Sequence, residues 1–338
     1  MKRLMNAVET MLGESLDGFV AAHGDIVELG AERKFVRRRT LTPGKVALIS
    51  GGGSGHEPLH AGFVGLGMLD AACPGQVFTS PTPDQMVAAV EAVDTGAGCL
   101  MIVKNYEGDV MNFDMARELA AAGDRTVESV VTNDDVAVPN STWSTGRRGV
   151  AGTLVVEKIV GAAAEQSVGL EDLRDLGRQV NERTRSFGIA LSSCTVPAAG
   201  KPTFELGPDE MEVGVGIHGE PGRRRSKLAS ADAIAKDMLD AILGDLAPSA
   251  GSECLLLVNG FGGTPLMELY LMVNAARRIL AGRGLAATRH LTGSLVTSLD
   301  MAGCSLTITL LDERLTRLWD APVRTAALSW QGGSLTGD

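Results

Sequence analysis

The stretch VALISGGGSGHEPLH, residues 46–60, joins an apolar run to a glycine-rich segment and a proline. Residues 46–50 have the composition of a buried strand. Four glycines among the next five residues allow a tight turn that brings backbone N–H groups close to a ligand. Pro58 suits the first turn of a helix, so we expect a helix to begin there. A strand that runs through such a turn into a helix is typical of α/β proteins.

The same alternation continues along the chain. Thr82-Pro83-Asp84-Gln85 is a capping box with proline at the first helical position, and it predicts a helix that stops before Gly96. Further helices are predicted from Asp109, from residue 152, and over residues 228–243 and 265–280. Strands are predicted over residues 46–50, 99–103, 127–132, 187–192, 213–217, 254–258 and 306–310.

The helix that starts at Asp109 carries Met111, Met115 and Leu119 four residues apart, and this spacing predicts that they form its buried face. The whole pattern predicts an α/β protein of two α/β domains, each a central sheet flanked by helices. We place the domains at residues 1–184 and 185–338, the first carrying the glycine-rich loop. The motif NGFGGTP at residues 259–265 repeats the strand, glycine turn and proline arrangement in the second half.

Composition excludes several classes of function. A net charge of −10 and a pI near 5.1 do not favour binding to nucleic acid or anionic lipid. No apolar run approaches the ~18 residues of a membrane span. Five cysteines without a C-x-x-C pair argue against a disulfide framework or a zinc cluster. We therefore expect a cytoplasmic protein that binds no metal.

His56-Glu57-Pro58-Leu59-His60 matches the zinc-protease pattern H-E-x-x-H. That chemistry needs both histidines on one face of a continuous helix, and Pro58 would clash inside such a helix. We reject the zinc interpretation. The chain also lacks a Walker loop and a complete dinucleotide fingerprint.

Three ionisable residues follow predicted strands. His56, Asp109 and His218 each lie just beyond a strand's carboxyl end, where open α/β sheets bind ligands. Together they could supply a general base, its orienting partner and a nucleophile. Taken singly, Asp109 could be a helix cap and His218 a turn or core histidine. The remaining histidines, among them His60, are interpreted as structural.

Several long motifs resemble the substrate-binding K subunit of the dihydroxyacetone kinases, and they occur in the same order over nearly the whole chain. Besides GGGSGHEP, they are VKNYEGDVMNF (103–113), NDDVAV (133–138), GRRGVAGT (146–153), GIHGEPG (216–222), VNGFGGTPLMELY (258–270) and TSLDMAGCSLT (297–307).

The resemblance implies a subunit, usually a homodimer, that binds a small ketose such as dihydroxyacetone. An imidazole nitrogen of His218 would attack the C2 carbonyl and hold the sugar as a hemiaminal. His56 and Asp109 would accept the proton of the terminal hydroxyl during phosphoryl transfer. The substrate-binding residues implied by the resemblance are Gly53, Ser54, Gly55, His56, Lys104, Asp109 and His218, with Gly53 acting through its backbone N–H.

The resemblance also implies partners. The chain itself would bind no cofactor, and ADP or ATP with Mg would lie on a separate L-type nucleotide-binding subunit. The ultimate donor, ATP or a phosphotransferase-system protein, is left open. Departures from the family pattern are Glu107 for Thr, Leu59 for Ala and Cys304 for Phe. A four-carbon ketose such as erythrulose is one alternative substrate, and the alternative functions are a non-catalytic ketose sensor and a lone aldolase-type enzyme.

Overall fold

The computed structural model describes residues 2–138, 144, 146–220 and 222–331. The helices in this part of the chain are α1 (Met11–Ala22), α2 (Pro83–Val93), α3 (Glu107–Ala122), α4 (Gly152–Glu165), α5 (Leu170–Glu182), α6 (Ala231–Leu246), α7 (Leu266–Gly282) and α8 (Glu313–Asp320).

The strands are β1 (Val27–Leu29), β2 (Val36–Arg38), β3 (Ala47–Ser54), β4 (Gly65–Leu66), β5 (Ala71–Val77), β6 (Cys99–Lys104), β7 (Val127–Thr132), β8 (Thr184–Ala190), β9 (Glu210–Val213), β10 (Arg224–Lys227), β11 (Glu253–Gly260), β12 (Ala286–Gly293), β13 (Gly303–Leu311), β14 (Val323–Thr325) and β15 (Ser329–Trp330). This confirms the predicted mixed α/β fold with sheets flanked by helices.

The chain forms two compact units that are not continuous in sequence. The unit that we name the glycine-strand unit comprises Lys2–Thr132, Thr153–Gln179 and Glu313–Asp338. The other, the His218 unit, comprises Asn133–Gly152 and Val180–Asp312. The chain therefore passes between units several times, whereas the predicted domains 1–184 and 185–338 use one crossing. That division stays a prediction.

The glycine-strand unit contains a six-stranded sheet in the order β1-β2-β5-β3-β6-β7. Its strands β5, β3, β6 and β7 are parallel, and β1 and β2 add an antiparallel edge. Helices α2 and α3 pack on this sheet around a core that includes Ile49, Met101 and Phe113. Because β3 and β6 are parallel neighbours, the residues at their carboxyl ends lie at the same edge.

Helix α2 begins as its sequence predicts, with Thr82 N–H donating to the Gln85 side chain at 3.0 Å. The predicted buried face of α3 is wrong: Met111, Met115 and Leu119 are exposed. The buried residues are instead Asp109, Phe113, Ala116 and Ala120. Two of these are alanines, which let the helix pack close to the unit's core while the longer methionines stay outside.

The His218 unit contains a second six-stranded sheet in the order β10-β9-β8-β13-β11-β12. Only β11 and β12 are parallel, and the other pairs are antiparallel. Helices α6 and α7 pack against this sheet around a core that includes Leu239, Leu256 and Leu306.

Two predictions need correction, one about the end of a strand and one about a helix. The predicted strand 213–217 ends at Val213, because the backbone turns at Gly214 with a φ of +80°. The predicted helix at Pro58 is absent: residues 56–60 form a turn, with Gly62 N–H donating to the Pro58 carbonyl at 2.8 Å, and only a 3₁₀ turn at Ala61–Phe63 follows. Burial of Leu59 and His60 overrides the helical preference.

All five cysteines are buried thiols. Within the described ranges, no helix is long and apolar enough to cross a membrane, and no group of three or more His, Cys, Asp or Glu side chains is placed to hold a metal ion.

Candidate functional site

The polar centre of the glycine-strand unit is Lys104, the last residue of β6. Its side chain is fully buried, at 0% exposure. Nζ lies 3.3 Å from Asp109 Oδ2, 3.4 Å from the Gly51 carbonyl oxygen and 3.2 Å from His60 Nε2. Burial of an ammonium requires such partners, since an unpaired charge would be strongly destabilising. The site therefore has one fixed positive charge at the carboxyl edge of the sheet.

Glycine at position 52 creates the space for this ammonium. The four-glycine segment continues strand β3 as far as Ser54, so Gly51, Gly52 and Gly53 are extended and the predicted loop begins later. A Cβ at Gly52 would lie 2.2 Å from Lys104 Nζ. At Gly53 it would lie 2.6 Å from the backbone nitrogen of Thr79. The glycines thus admit close neighbours on both faces of the strand.

Asp109 lies in the first turn of α3, whose N-cap is Tyr106, so it is not the helix cap. Its carboxyl group is buried, and Oδ2 accepts from Lys104. Among the described residues, no group donates a hydrogen bond to its buried Oδ1. This oxygen can therefore accept a hydrogen bond from a ligand hydroxyl, and the carboxyl group lies in the first turn of the helix beside the Lys104 ammonium.

His60 and Glu157 form a second, deeper layer that sequence reasoning missed. Nδ1 of His60 lies 2.6 Å from Glu157 Oε1 and 3.0 Å from Ser50 Oγ. Nε2 can accept from Lys104 only when the ring proton is on Nδ1, where it is donated to Glu157. A continuous chain of hydrogen-bonded groups therefore runs inside the unit, from Asp109 through Lys104 and His60 to Glu157.

Both members of this layer have shifted pKa values. Burial raises the pKa of Glu157 to about 8, an effect that the Lys104 ammonium partly offsets. Burial first, and then the positive charge of Lys104, lower the pKa of His60 well below its usual value. His60 is thus neutral at physiological pH, and Glu157 changes its charge in that range. The charge around Lys104 consequently depends on pH.

His56 follows β3 in the turn. It is 1% exposed, and its ring stacks on Phe78 with centroids 5.1 Å apart and 21° between planes. The turn is held by Glu57, whose carboxylate accepts from Gly55 N–H at 3.0 and 3.1 Å. The hydroxyl of Ser54 donates to the Gly75 carbonyl at 2.7 Å. This bond gives Ser54 a role in fixing the strand, beside the substrate contact predicted for it.

A cavity of about 380 Å³ lies in the same unit. One wall is Gly52, Gly53 and Ser54, and another is apolar and comes from α1, including Leu16 and Phe19. Its lining includes neither Lys104 nor Asp109. The lining also has polar side chains, among them Glu57 and His60, but the charged pair of Lys104 and Asp109 lies outside it, and that pair is the candidate site for a polyhydroxylated ligand.

His218 lies in the other unit, on the chain that follows β9. Its side chain is half-buried, and its backbone N–H donates to Glu220 Oε2 at 2.9 Å. Because β9 is antiparallel to β8, the argument from parallel strand ends covers His56 and Asp109 but not His218. His218 is presented by a glycine-rich turn that buried carboxylates hold, and its place in the site stays a prediction.

These features were compared with known proteins. The family model of the Dak1 domain matches residues 17–327, nearly the whole chain. The chain belongs to the Dak1 family. This confirms the resemblance to the substrate-binding subunits of dihydroxyacetone kinases that the sequence motifs indicate.

A Listeria innocua protein, named as the dihydroxyacetone-binding subunit of PTS-dependent dihydroxyacetone kinase 1, is 50% identical over 97% of this chain and 100% of its own length. The crystal structure of the dihydroxyacetone kinase of C. freundii has a TM-score of 0.89 at 36% identity. It covers 97% of this chain, which spans only 60% of that protein. The structure of a dihydroxyacetone kinase operon co-activator also has a TM-score of 0.89, with 33% identity over 94% of this chain and 98% of its own.

The structure thus brings two of the predicted site residues, Lys104 and Asp109, into direct contact. It adds His60, which sequence reasoning interpreted as structural, and Glu157. One signal for Glu157 was present in the sequence: Glu157 and Lys158 are the two charged residues in segment 154–164, which is otherwise made of apolar residues and one glycine. A fully buried charge of this kind needs a partner, which the sequence alone does not reveal.

Proposed function

We propose that the chain is the dihydroxyacetone-binding subunit of a PTS- or PEP-dependent dihydroxyacetone kinase. The buried Lys104–Asp109 pair beside the glycine strand carries this proposal, because it offers a charged donor and an acceptor for a small polyhydroxylated ligand. The full-length identity to the Listeria innocua subunit supports the same substrate.

In this proposal His218 holds the ketose covalently. A neutral imidazole nitrogen attacks the C2 carbonyl, a C–N bond forms, and the carbonyl π electrons move to oxygen, which takes up a proton as the imidazole loses one. The product is a hemiaminal. Glycerol has no carbonyl and cannot react, so the chemistry discriminates a ketose from a polyol of similar size.

Phosphoryl transfer then requires positioning and removal of one proton. The terminal hydroxyl oxygen would bond to phosphorus as the bond between phosphorus and the donor breaks, its electron pair leaving with the donor. The hydroxyl proton passes to His56 or to Asp109, whose Oδ1 has accepting capacity. Lys104 donates to the substrate and pairs with the Asp109 carboxylate at 3.3 Å. A tether removes translational freedom before the donor docks, and this suits a reaction whose catalysis is mainly positioning and charge stabilisation.

The phosphoryl donor would come from a partner. We propose an L-type subunit that carries ADP or ATP with Mg, recharged by a phosphotransferase-system protein as the name of the Listeria innocua relative indicates. The chain itself would work as a homodimer.

A second candidate function is ketose sensing, because the operon co-activator has the same fold over 98% of its length. A sensor needs the ketose-binding histidine but no acceptor for the hydroxyl proton. The presence of His56 and Asp109 together with Lys104 favours the kinase subunit.

The test is reconstitution. The purified chain is combined with the other subunits of the Listeria innocua kinase, and phosphorylation of dihydroxyacetone, erythrulose and glycerol is followed with phosphoenolpyruvate or ATP as the phosphate source. We expect product from a ketose only when chain and partner are both present. His56→Ala should abolish most turnover. Ketose binding with no phosphorylation by any donor would instead favour the sensor.

A further inference from the structure

The turn at residues 214–220, which presents His218, is built around a buried carboxylate. We propose that Glu220, itself held by Arg148, is a positioning residue that fixes the backbone of His218 for attack on the ketose carbonyl. This inference rests on the proposed function and assigns a role to two residues that do not take part in the chemistry.

Glu220 binds the turn on one side and a cation on the other. Its Oε2 accepts the His218 backbone N–H at 2.9 Å, and its Oε1 accepts from Arg148 Nη1 at 3.2 Å. The residue is 9% exposed, so both bonds form largely out of water. A charge-assisted bond to the backbone of the nucleophile itself restricts where its imidazole can lie.

Arg148 provides a rigid anchor for that carboxylate. The guanidinium is 1% exposed and pairs with Asp135 Oδ2 through Nε at 2.7 Å and Nη2 at 2.6 Å. Nη2 also donates to the Gly214 carbonyl at 2.9 Å, at the start of the turn. Asp135 in turn accepts Ala137 N–H at 2.8 Å. The Arg148 guanidinium and the Asp135 carboxylate therefore hold each other in place, and the guanidinium meets Glu220 in a fixed orientation.

The glycines of the turn leave room for this arrangement. A Cβ at Gly216 would lie 1.8 Å from Glu220 Oε1 and 2.7 Å from Arg148 Nη1. Gly222 N–H donates to Glu212 Oε1 at 2.9 Å. Of these two carboxylate contacts, the one from Glu220 is made to His218 itself.

A misplacement of about 1 Å in a reacting group can cost about 100-fold in rate. Glu220→Ala removes the acceptor of the His218 N–H and leaves Arg148 with one carboxylate. Glu220→Gln keeps an acceptor oxygen of nearly the same shape but loses the charge. We therefore expect the dissociation constant of the bound ketose to rise about 10- to 100-fold in Glu220→Ala and about 3- to 10-fold in Glu220→Gln.

The experiment titrates dihydroxyacetone, ¹³C-labelled at the carbonyl, into the full chain and measures the protein-bound tetrahedral carbon by NMR. Wild type, Glu220→Ala, Glu220→Gln and the control Glu212→Gln are compared; Glu212 is the carboxylate that binds Gly222 N–H and Arg225. Circular dichroism and the melting temperature verify that each variant folds. Partial rescue by Gln relative to Ala, with a nearly unchanged control, supports positioning.

Binding by both Glu220 variants as tight as in wild type would overturn the inference. If Glu220→Ala does not fold, Glu220→Gln decides alone, and an unchanged affinity overturns the proposal. A wild-type chain that forms no tetrahedral carbon with any ketose refutes hemiaminal chemistry itself, and with it this role. The wild-type result therefore distinguishes failure of the proposed function from failure of the positioning role.

Discussion

Gly52→Ala tests whether the space around Lys104 is functional. The new methyl group would lie 2.2 Å from Nζ, 3.4 Å from Cε and 3.5 Å from His60 Nε2. Ordinary contact begins near 3.4 Å, so Nζ must move by about 1.2 Å. The clashing atom is the end of a flexible side chain, so the fold can accommodate the change. The ammonium cannot keep its present bonds to Asp109 and His60.

Both bonds have the Lys104 ammonium as donor and are 3.2–3.3 Å long. A shift of this size in Nζ therefore breaks or lengthens at least one of the two bonds. A hydrogen bond to a charged group contributes about 1.5–3 kcal/mol. We therefore expect kcat/KM for dihydroxyacetone to fall about 10- to 100-fold in the reconstituted kinase. The melting temperature should fall modestly, because a buried ammonium loses part of its hydrogen bonding.

Two other glycine-to-alanine variants are matched controls. Gly51→Ala places its methyl 2.6 Å from the Cys73 carbonyl oxygen, which is backbone and cannot yield, so it should lower the melting temperature. Gly244→Ala in α6 meets nothing within 4 Å and should leave both stability and activity intact. Wild-type kinetics in Gly52→Ala would refute the assigned role of the Lys104 position.

Further predictions concern the other layers of the glycine-strand unit. Asp109→Asn should reduce kcat about 10²- to 10⁴-fold while NMR still detects bound ketose, because a proton acceptor is lost and His218 is untouched; loss of binding and turnover together would contradict this. The pKa of Glu157 is about 8 when folded and near 4.3 when unfolded, so the folded state binds more protons between these values and its stability falls as pH rises there. Glu157→Gln should flatten the melting temperature over pH 5–8, and an unchanged slope would show that the carboxyl does not titrate in this window. Thr82→Ala should cost about 1 kcal/mol of unfolding free energy in urea titrations with unchanged kinetics, since it removes the Thr82 side-chain half of the α2 capping box and keeps the backbone bond to Gln85. Met115→Ser should change the free energy of unfolding by less than about 0.5 kcal/mol, whereas Phe113→Ala should lower it by about 3–5 kcal/mol. A larger loss in Met115→Ser than in Phe113→Ala would show that the face predicted from the sequence is the buried one.

Much of the fold could be predicted because local signals and tertiary packing agree. The capping box at Thr82 defines α2 in the sequence and in the structure alike. The strand at Val127–Thr132 has the predicted bounds. Helix α3 was predicted, but the apolar spacing misassigned its face because methionines usually mark a core and here alanines pack inside.

The candidate site could be predicted only in part. Position after a strand was enough to single out His56 and Asp109, since parallel strand ends meet at one sheet edge. The buried layer of His60 and Glu157 joins residues 97 positions apart in the chain, and no local pattern indicates such a pairing. The Arg148–Glu220 contact, 72 residues apart, is equally non-local. Side-chain networks that anchor a site thus depend on tertiary structure.

The central claim is that this chain binds a ketose covalently through His218. The most direct measurement is the ¹³C NMR spectrum of carbonyl-labelled dihydroxyacetone mixed with the wild-type chain and with His218→Ala. We predict that the ketone resonance gives way to a protein-bound tetrahedral carbon with wild type alone, and that labelled glycerol shows no bound species. A tetrahedral signal of equal size with His218→Ala, or none with wild type for dihydroxyacetone and erythrulose, would contradict the account.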